Sequence, residues 1–157
     1  MITRLFYLAI AIASGWLLGM GMYIQYARGI TDCGPVVLIR YGLVVAAILA
    51  IFAIVLNAGK TVRWTVSTLL GLVSLGGAWV AAHEAWSSHI PSPAKLGIRA
   101  DSLVSSLPLE NVLPRFFSGA GECASGRWNM IGLPFAQWCT LFFVLFVILA
   151  IAAARRD

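Results

Sequence analysis

Three thiols stand out in a chain with few other reactive side chains. Cys33 lies in Asp32-Cys33-Gly34-Pro35, Cys123 in Gly121-Glu122-Cys123-Ala124, and Cys139 in Gln137-Trp138-Cys139-Thr140. An odd count leaves at least one of them unpaired. No cysteine pair or histidine cluster has metal-ligand spacing, which argues against a structural zinc site. The chemistry open to such thiols is disulfide formation and thiol–disulfide exchange, in which the thiolate is the attacking species. One cation, Arg40, stands apart inside an apolar stretch, seven residues after Cys33.

The elements that must hold these residues are membrane spans. Of the 157 residues, 61% are hydrophobic and only 11% charged, and the mean hydropathy is +0.91. A soluble domain of this size needs more surface charge. The apolar residues also come in blocks long enough to cross a bilayer, which takes about 20 residues as a helix. The expected helices cover about 5–27, 36–59, 64–84 and 135–154, and the whole chain, 1–157, is expected to be one membrane domain. The first block is bracketed by Arg4 and Arg28. It exceeds the roughly 7–15 residues of a signal peptide's apolar region and no polar mature domain follows, so a retained helix is expected. The link around Gly59, Lys60 and Arg63 is short, which makes the second and third helices antiparallel neighbours. The fold class is therefore all-α: an antiparallel bundle of four transmembrane helices.

Charge sets the expected orientation. Arg4, Lys60, Arg63, Arg155 and Arg156 fall on one side of a four-span chain, and that side is expected to be cytoplasmic, with both termini there. Loops 28–35 and 85–134 then lie outside, in the bacterial periplasm, an oxidising compartment. The net charge of +5 comes without a basic patch interleaved with aromatics, so nucleic acid is not the expected partner. The long loop opens with Pro91-Ser92-Pro93 and contains Leu107–Phe117, apolar with few charges. That stretch suits either a short helix in the membrane interface or a loop packed on the bundle. Cys33 and Cys123 fall in the two outer loops. By composition they are a structural disulfide or two unrelated thiols. Cys139, one turn into the last helix, reads as a small buried apolar residue.

The segment Leu107-Pro108-Leu109, Gly121-Glu122-Cys123, Trp128, Gly132-Leu133 and Trp138, with Cys33 and Arg40 and the Pro91-Ser92-Pro93 start of the long loop, resembles the disulfide bond formation protein B (DsbB) family. The resemblance covers nearly the whole chain. It implies an inner-membrane thiol–disulfide oxidoreductase. Electrons from a periplasmic, thioredoxin-fold partner of the DsbA type would enter a cysteine pair in the long loop. They would pass to a Cys-x-x-Cys pair in the first outer loop and then to a membrane quinone, ubiquinone or menaquinone. By this resemblance Cys33 and Cys123 are the catalytic positions, and Arg40 is the quinone-side arginine; an arginine snorkelling to the headgroups is the plain alternative. The family tends to carry a histidine at the outer end of the third helix, where His83 and Glu84 stand; both are read as cofactor-binding.

The sequence departs from that pattern at two points. Val36 occupies the second position of Cys-x-x-Cys, and Ala94 or Gly97 occupies the place of the loop partner of Cys123. Each redox pair keeps one member, as a replacement made to hold an intermediate or a divergent natural paralogue would. With their partners gone, Cys33 and Cys123 are expected to pair with each other, and quinone-coupled turnover is expected to be impaired or trapped. The alternative class is a non-catalytic four-helix membrane protein with a structural Cys33–Cys123 disulfide and a partner-binding loop. A third, resembling vitamin K epoxide reductase, fits the Gly-Glu-Cys, Trp and Gly-Leu pattern less well.

Overall fold

The computed structural model describes residues 2–29, 34–56, 59–87, 106, 108, 114–117, 129–130 and 132–155. Cys33 and Cys123, the link at 57–58, and Ala94 and Gly97 lie outside the described residues. Four long helices carry the fold: α1 (Ile2–Arg28), α2 (Gly34–Val55), α3 (Lys60–Ser87) and α5 (Phe135–Arg155). Between the last two, the described residues include a helical turn, α4 (Pro114–Phe117), and two short strands, β1 (Asn129–Met130) and β2 (Leu133–Pro134). All four long helices are long and apolar enough to cross a membrane. The architecture is thus the all-α, four-span one that the apolar blocks predict.

Packing follows one rule in every helix. The inward-facing series runs through Tyr7, Ile10, Ser14 and Leu17 on α1, and through Ile39, Leu43, Ala46, Ala50 and Ala53 on α2, whose first turns also bury Pro35, Val37 and Arg40. On α3 it runs through Ser67, Leu70, Ser74, Ala81 and Glu84, joined by Gly77, with Val66 and Ala85 buried beside it. On α5 it runs through Cys139, Phe143, Phe146, Ala150 and Ala153. Each series steps by alternating three and four residues, the spacing of a left-handed bundle packed knobs into holes. The other faces are equally apolar and exposed: Ile48, Leu72, Ile148 and Trp79 point outward, as lipid-facing residues do. Exposed Tyr23, Tyr26 and Trp86 stand near one end, and Trp64 near the other, where aromatic rings favour the interface.

Small residues bring the helices close. Phe143 of α5 lies on the backbones of α2 and α3: a Cβ added at Gly77 would sit 2.6 Å from its ring, and one at Gly42 3.2 Å away. Close approach of this kind is how helices gain dispersion energy where lipid removes the hydrophobic drive. Cys139 is fully buried in the same core, the small apolar role expected of it.

The helix ends differ from the hydropathy windows. α3 starts four residues before Trp64, because Lys60, Thr61 and Arg63 can finish the helix outside the apolar core. A helix satisfies its own backbone wherever it runs. α1 stops at Gly29, whose φ of 60° no β-branched residue tolerates; its N–H donates to the Gln25 carbonyl at 3.0 Å, an αL cap. β1 and β2 pair antiparallel, Asn129 with Pro134 and Met130 with Leu133. Gly132 takes the positive φ of 80° that such a tight turn needs, and the hairpin feeds straight into α5.

Candidate functional site

The end of the bundle where α2 begins, next to Cys33 in sequence, holds the two buried charged side chains among the described residues, Arg40 and Glu84. Arg40 sits two turns into α2 and is only 2% exposed. Its guanidinium does not reach out to a headgroup layer. Nη1 donates to Gln25 Oε1 at 2.9 Å, and Nη2 approaches the Gly21 carbonyl at 3.4 Å. Both acceptors belong to α1, so a side chain borne by α2 is oriented by the neighbouring helix. Gly21 makes room for this. A Cβ there would meet Phe135 at 3.4 Å and Arg40 Nε and Nη2 at 3.7 and 3.8 Å. A branched side chain would fill the gap. The ring of Phe135, the first residue of α5, completes that wall.

Val36 is half-buried and one helical turn before Arg40. Residues four apart share a helix face, so position 36 lies on the same face of α2 as Arg40, one turn nearer Cys33 in sequence. On α3, Glu84 is 3% exposed and His83 half-buried, its enclosed Nδ1 having no hydrogen-bond partner among the described residues. A groove of about 720 Å³ opens between Ala82, Ala85 and Trp86 of α3 and Leu133, Gln137, Thr140 and Leu141 near the start of α5, lined by neither His83 nor Glu84.

A second cluster ties the long loop to this end. Phe117 of α4 is 3% exposed and packs with Val37, flanked by Leu38, Tyr41 and Val44. Its ring centroid lies 4.9 Å from that of Tyr41, tilted by 53°, a favourable aromatic geometry. So within 107–117 the one described helical turn packs on the bundle. Phe117 is six residues before Cys123, and Val37 is four after Cys33. The anchor therefore joins the two cysteine-bearing segments at points close to each thiol in sequence.

Sequence reasoning named Arg40, His83 and Glu84 but missed Gln25, Gly21, Tyr41 and Phe117. Gln25 had a signal: it is the one side-chain amide in an uncharged span, and polar groups inside membranes are functional candidates by default. Gly21 and Phe117 had none, since glycines and phenylalanines recur throughout the chain. Among the described residues no group of three or more His, Cys, Asp or Glu could hold a metal ion.

Comparison with known proteins bears on this arrangement. A family model described as disulfide bond formation protein DsbB matches residues 3–153. The disulfide bond formation protein B of Aromatoleum aromaticum is 31% identical over 157 residues, covering 98% of this chain and 95% of that protein. The protein of the same name from Polaromonas sp. is 32% identical over 149 residues, 94% of this chain and 88% of the relative. That of Nitrosomonas europaea is 30% identical over 148 residues, 94% and 90%.

Proposed function

The chain belongs to the disulfide bond formation protein B family, and on that premise we propose that it is a quinone-linked thiol–disulfide oxidoreductase of the bacterial inner membrane whose relay stops short of the quinone. Membership supports a membrane disulfide oxidoreductase, and the four apolar helices a multi-pass one. The periplasmic placing of Cys33 and Cys123, both termini in the cytoplasm, and a DsbA-like thioredoxin-fold partner are our readings. So is ubiquinone or menaquinone as acceptor.

The observation that carries the proposal is the burial of Arg40 against α1, one turn after position 36 on the same face of α2. A membrane quinone presents carbonyl oxygens, and a bound quinone supplies a two-electron acceptor. Arg40 is a donor-only side chain enclosed at the end of the bundle where such a ring would enter, and Phe135 offers an aromatic wall. His83 and Glu84 would line the approach from α3. These residues fit the group. Val36 does not fit its reaction, because it offers no thiol on the face of α2 that carries Arg40.

What remains is one exchange. With Cys33 and Cys123 joined, a thiolate of the reduced partner attacks Cys123, and the Cys33 sulfur leaves as a thiolate. The partner's second thiol then displaces Cys123, so the partner gains a disulfide and both cysteines of this chain end reduced. Helix dipole and arginine would favour the leaving thiolate at Cys33. The Phe117 anchor supports the pairing by holding the two segments together. The structural-disulfide reading draws support from Val36 alone.

The test restores Val36→Cys together with Gly97→Cys or Ala94→Cys. Quinone reduction driven by a reduced dithiol partner should appear in the restored protein, while the unaltered chain oxidises about one equivalent and halts. Sustained quinone reduction by the unaltered chain would refute the incomplete relay. A restored protein that binds quinone yet never reduces it would refute the oxidoreductase reading.

A further inference from the structure

Most buried polar side chains of this bundle lie on a seam between the parallel helices α1 and α3. The Tyr7 and Ser67 hydroxyls meet at 2.6 Å, and Ser14 and Ser74 lie seven residues further along each helix, both fully buried. Only the first pair is bonded; the Ser14 and Ser74 hydroxyls have no hydrogen-bond partner among the described residues. Gln25 is different, because its amide touches the one guanidinium buried among the described residues.

We propose that Gln25, helped by Gly21, is the positioning residue for Arg40: it fixes the guanidinium for a quinone carbonyl while adding no countercharge of its own. This rests on the reading that Arg40 receives the quinone. Arginine has no acceptor atom, so the amide oxygen must face it, and the 2.9 Å contact is that of a charge-assisted bond. The backbone of Gln25 is itself fixed, since its carbonyl takes the Gly29 cap. The amide thus hangs from a rigid helix end. Gly21 adds a carbonyl acceptor at 3.4 Å, at a position where an added Cβ would already be in contact with Phe135 and the guanidinium.

The choice of glutamine over glutamate carries the argument. A carboxylate at position 25 would attract Arg40 more strongly in this enclosed setting, yet it would put a countercharge in direct competition with an electron-rich carbonyl. A leucine would release the guanidinium to other rotamers. An amide holds without adding a countercharge. A purely structural role makes the opposite demand, because there the stronger ion pair would serve at least as well.

The experiment compares Gln25→Glu, Gln25→Leu and Arg40→Gln with the unaltered chain in lipid nanodiscs. Affinity for short-chain ubiquinone and menaquinone analogues is read by tryptophan quenching, and thermal midpoints are measured in parallel. Gln25→Glu should melt at the same or a higher temperature and bind either quinone at least about tenfold more weakly, the scale of one hydrogen bond to a charged group. Gln25→Leu should weaken binding similarly with a lower midpoint. Affinities within twofold of the unaltered chain in both variants would overturn the inference. So would a fall of affinity and midpoint together in Gln25→Glu, which marks a structural role. If Arg40→Gln keeps full affinity, the assignment of Arg40 to the quinone fails. If Arg40→Gln loses it and the Gln25 variants do not, only the positioning role fails.

Discussion

Removing the Phe117 side chain should weaken the coupling of the two cysteine-bearing segments by a predictable amount. Phe117 is 3% exposed between Val37 and Tyr41. Truncating a buried phenylalanine to alanine costs roughly 3–5 kcal/mol in a protein core. The lower figure applies to α4, which is one turn long and whose freed residues can settle elsewhere in the interface. If Cys33 and Cys123 meet only when α4 is docked, that loss enters the disulfide equilibrium in full. About 3 kcal/mol is then roughly a hundredfold fall in effective concentration, or a potential about 60 mV more oxidising. The assay equilibrates purified protein against glutathione buffers, traps thiols by alkylation and quantifies the Cys33–Cys123 peptide by mass. Tyr41→Leu, which removes only the ring contact, should move the potential in the same direction by about a third as much. An unchanged potential in Phe117→Ala would refute the anchor. Failure of the unaltered chain to form the bond under oxidising conditions would refute the pairing itself.

Gly77→Ala should be among the most damaging single substitutions in the bundle. The added Cβ would lie 2.6 Å from two carbons of the Phe143 ring, about 1 Å inside contact distance. Gly42 closes the other side, so a loss of about 2–3 kcal/mol is expected. Steric-trap or denaturant unfolding in micelles checks it, and Phe143→Leu should recover part of the loss. Tyr7→Phe removes one partner of the 2.6 Å bond to Ser67 and should cost about 1–2 kcal/mol. The double change with Ser67→Ala should cost less than the two single changes together, and strict additivity would show that the bond contributes nothing.

Much of this protein is written in its sequence. Four apolar blocks of bilayer length demand four helices, because only a helix satisfies its own backbone in lipid, and the charge-poor composition allows no soluble alternative. The thiols, Arg40 and the absence of a thiol at Val36 are equally legible. Hydrophobicity could not reveal which face of each helix turns inward, since lipid and core are both apolar and Leu72 reads like Leu70. The alternating three- and four-residue series of buried positions emerges only when the helices pack. That packing decided that Arg40 turns inward instead of snorkelling, because Gly21 leaves a gap and Gln25 offers an acceptor on a helix fifteen or more residues away in sequence. It also decided that Phe117 leaves the long loop to dock on α2. Such contacts depend on which side chains meet across helices, and a single chain read in order carries no record of that.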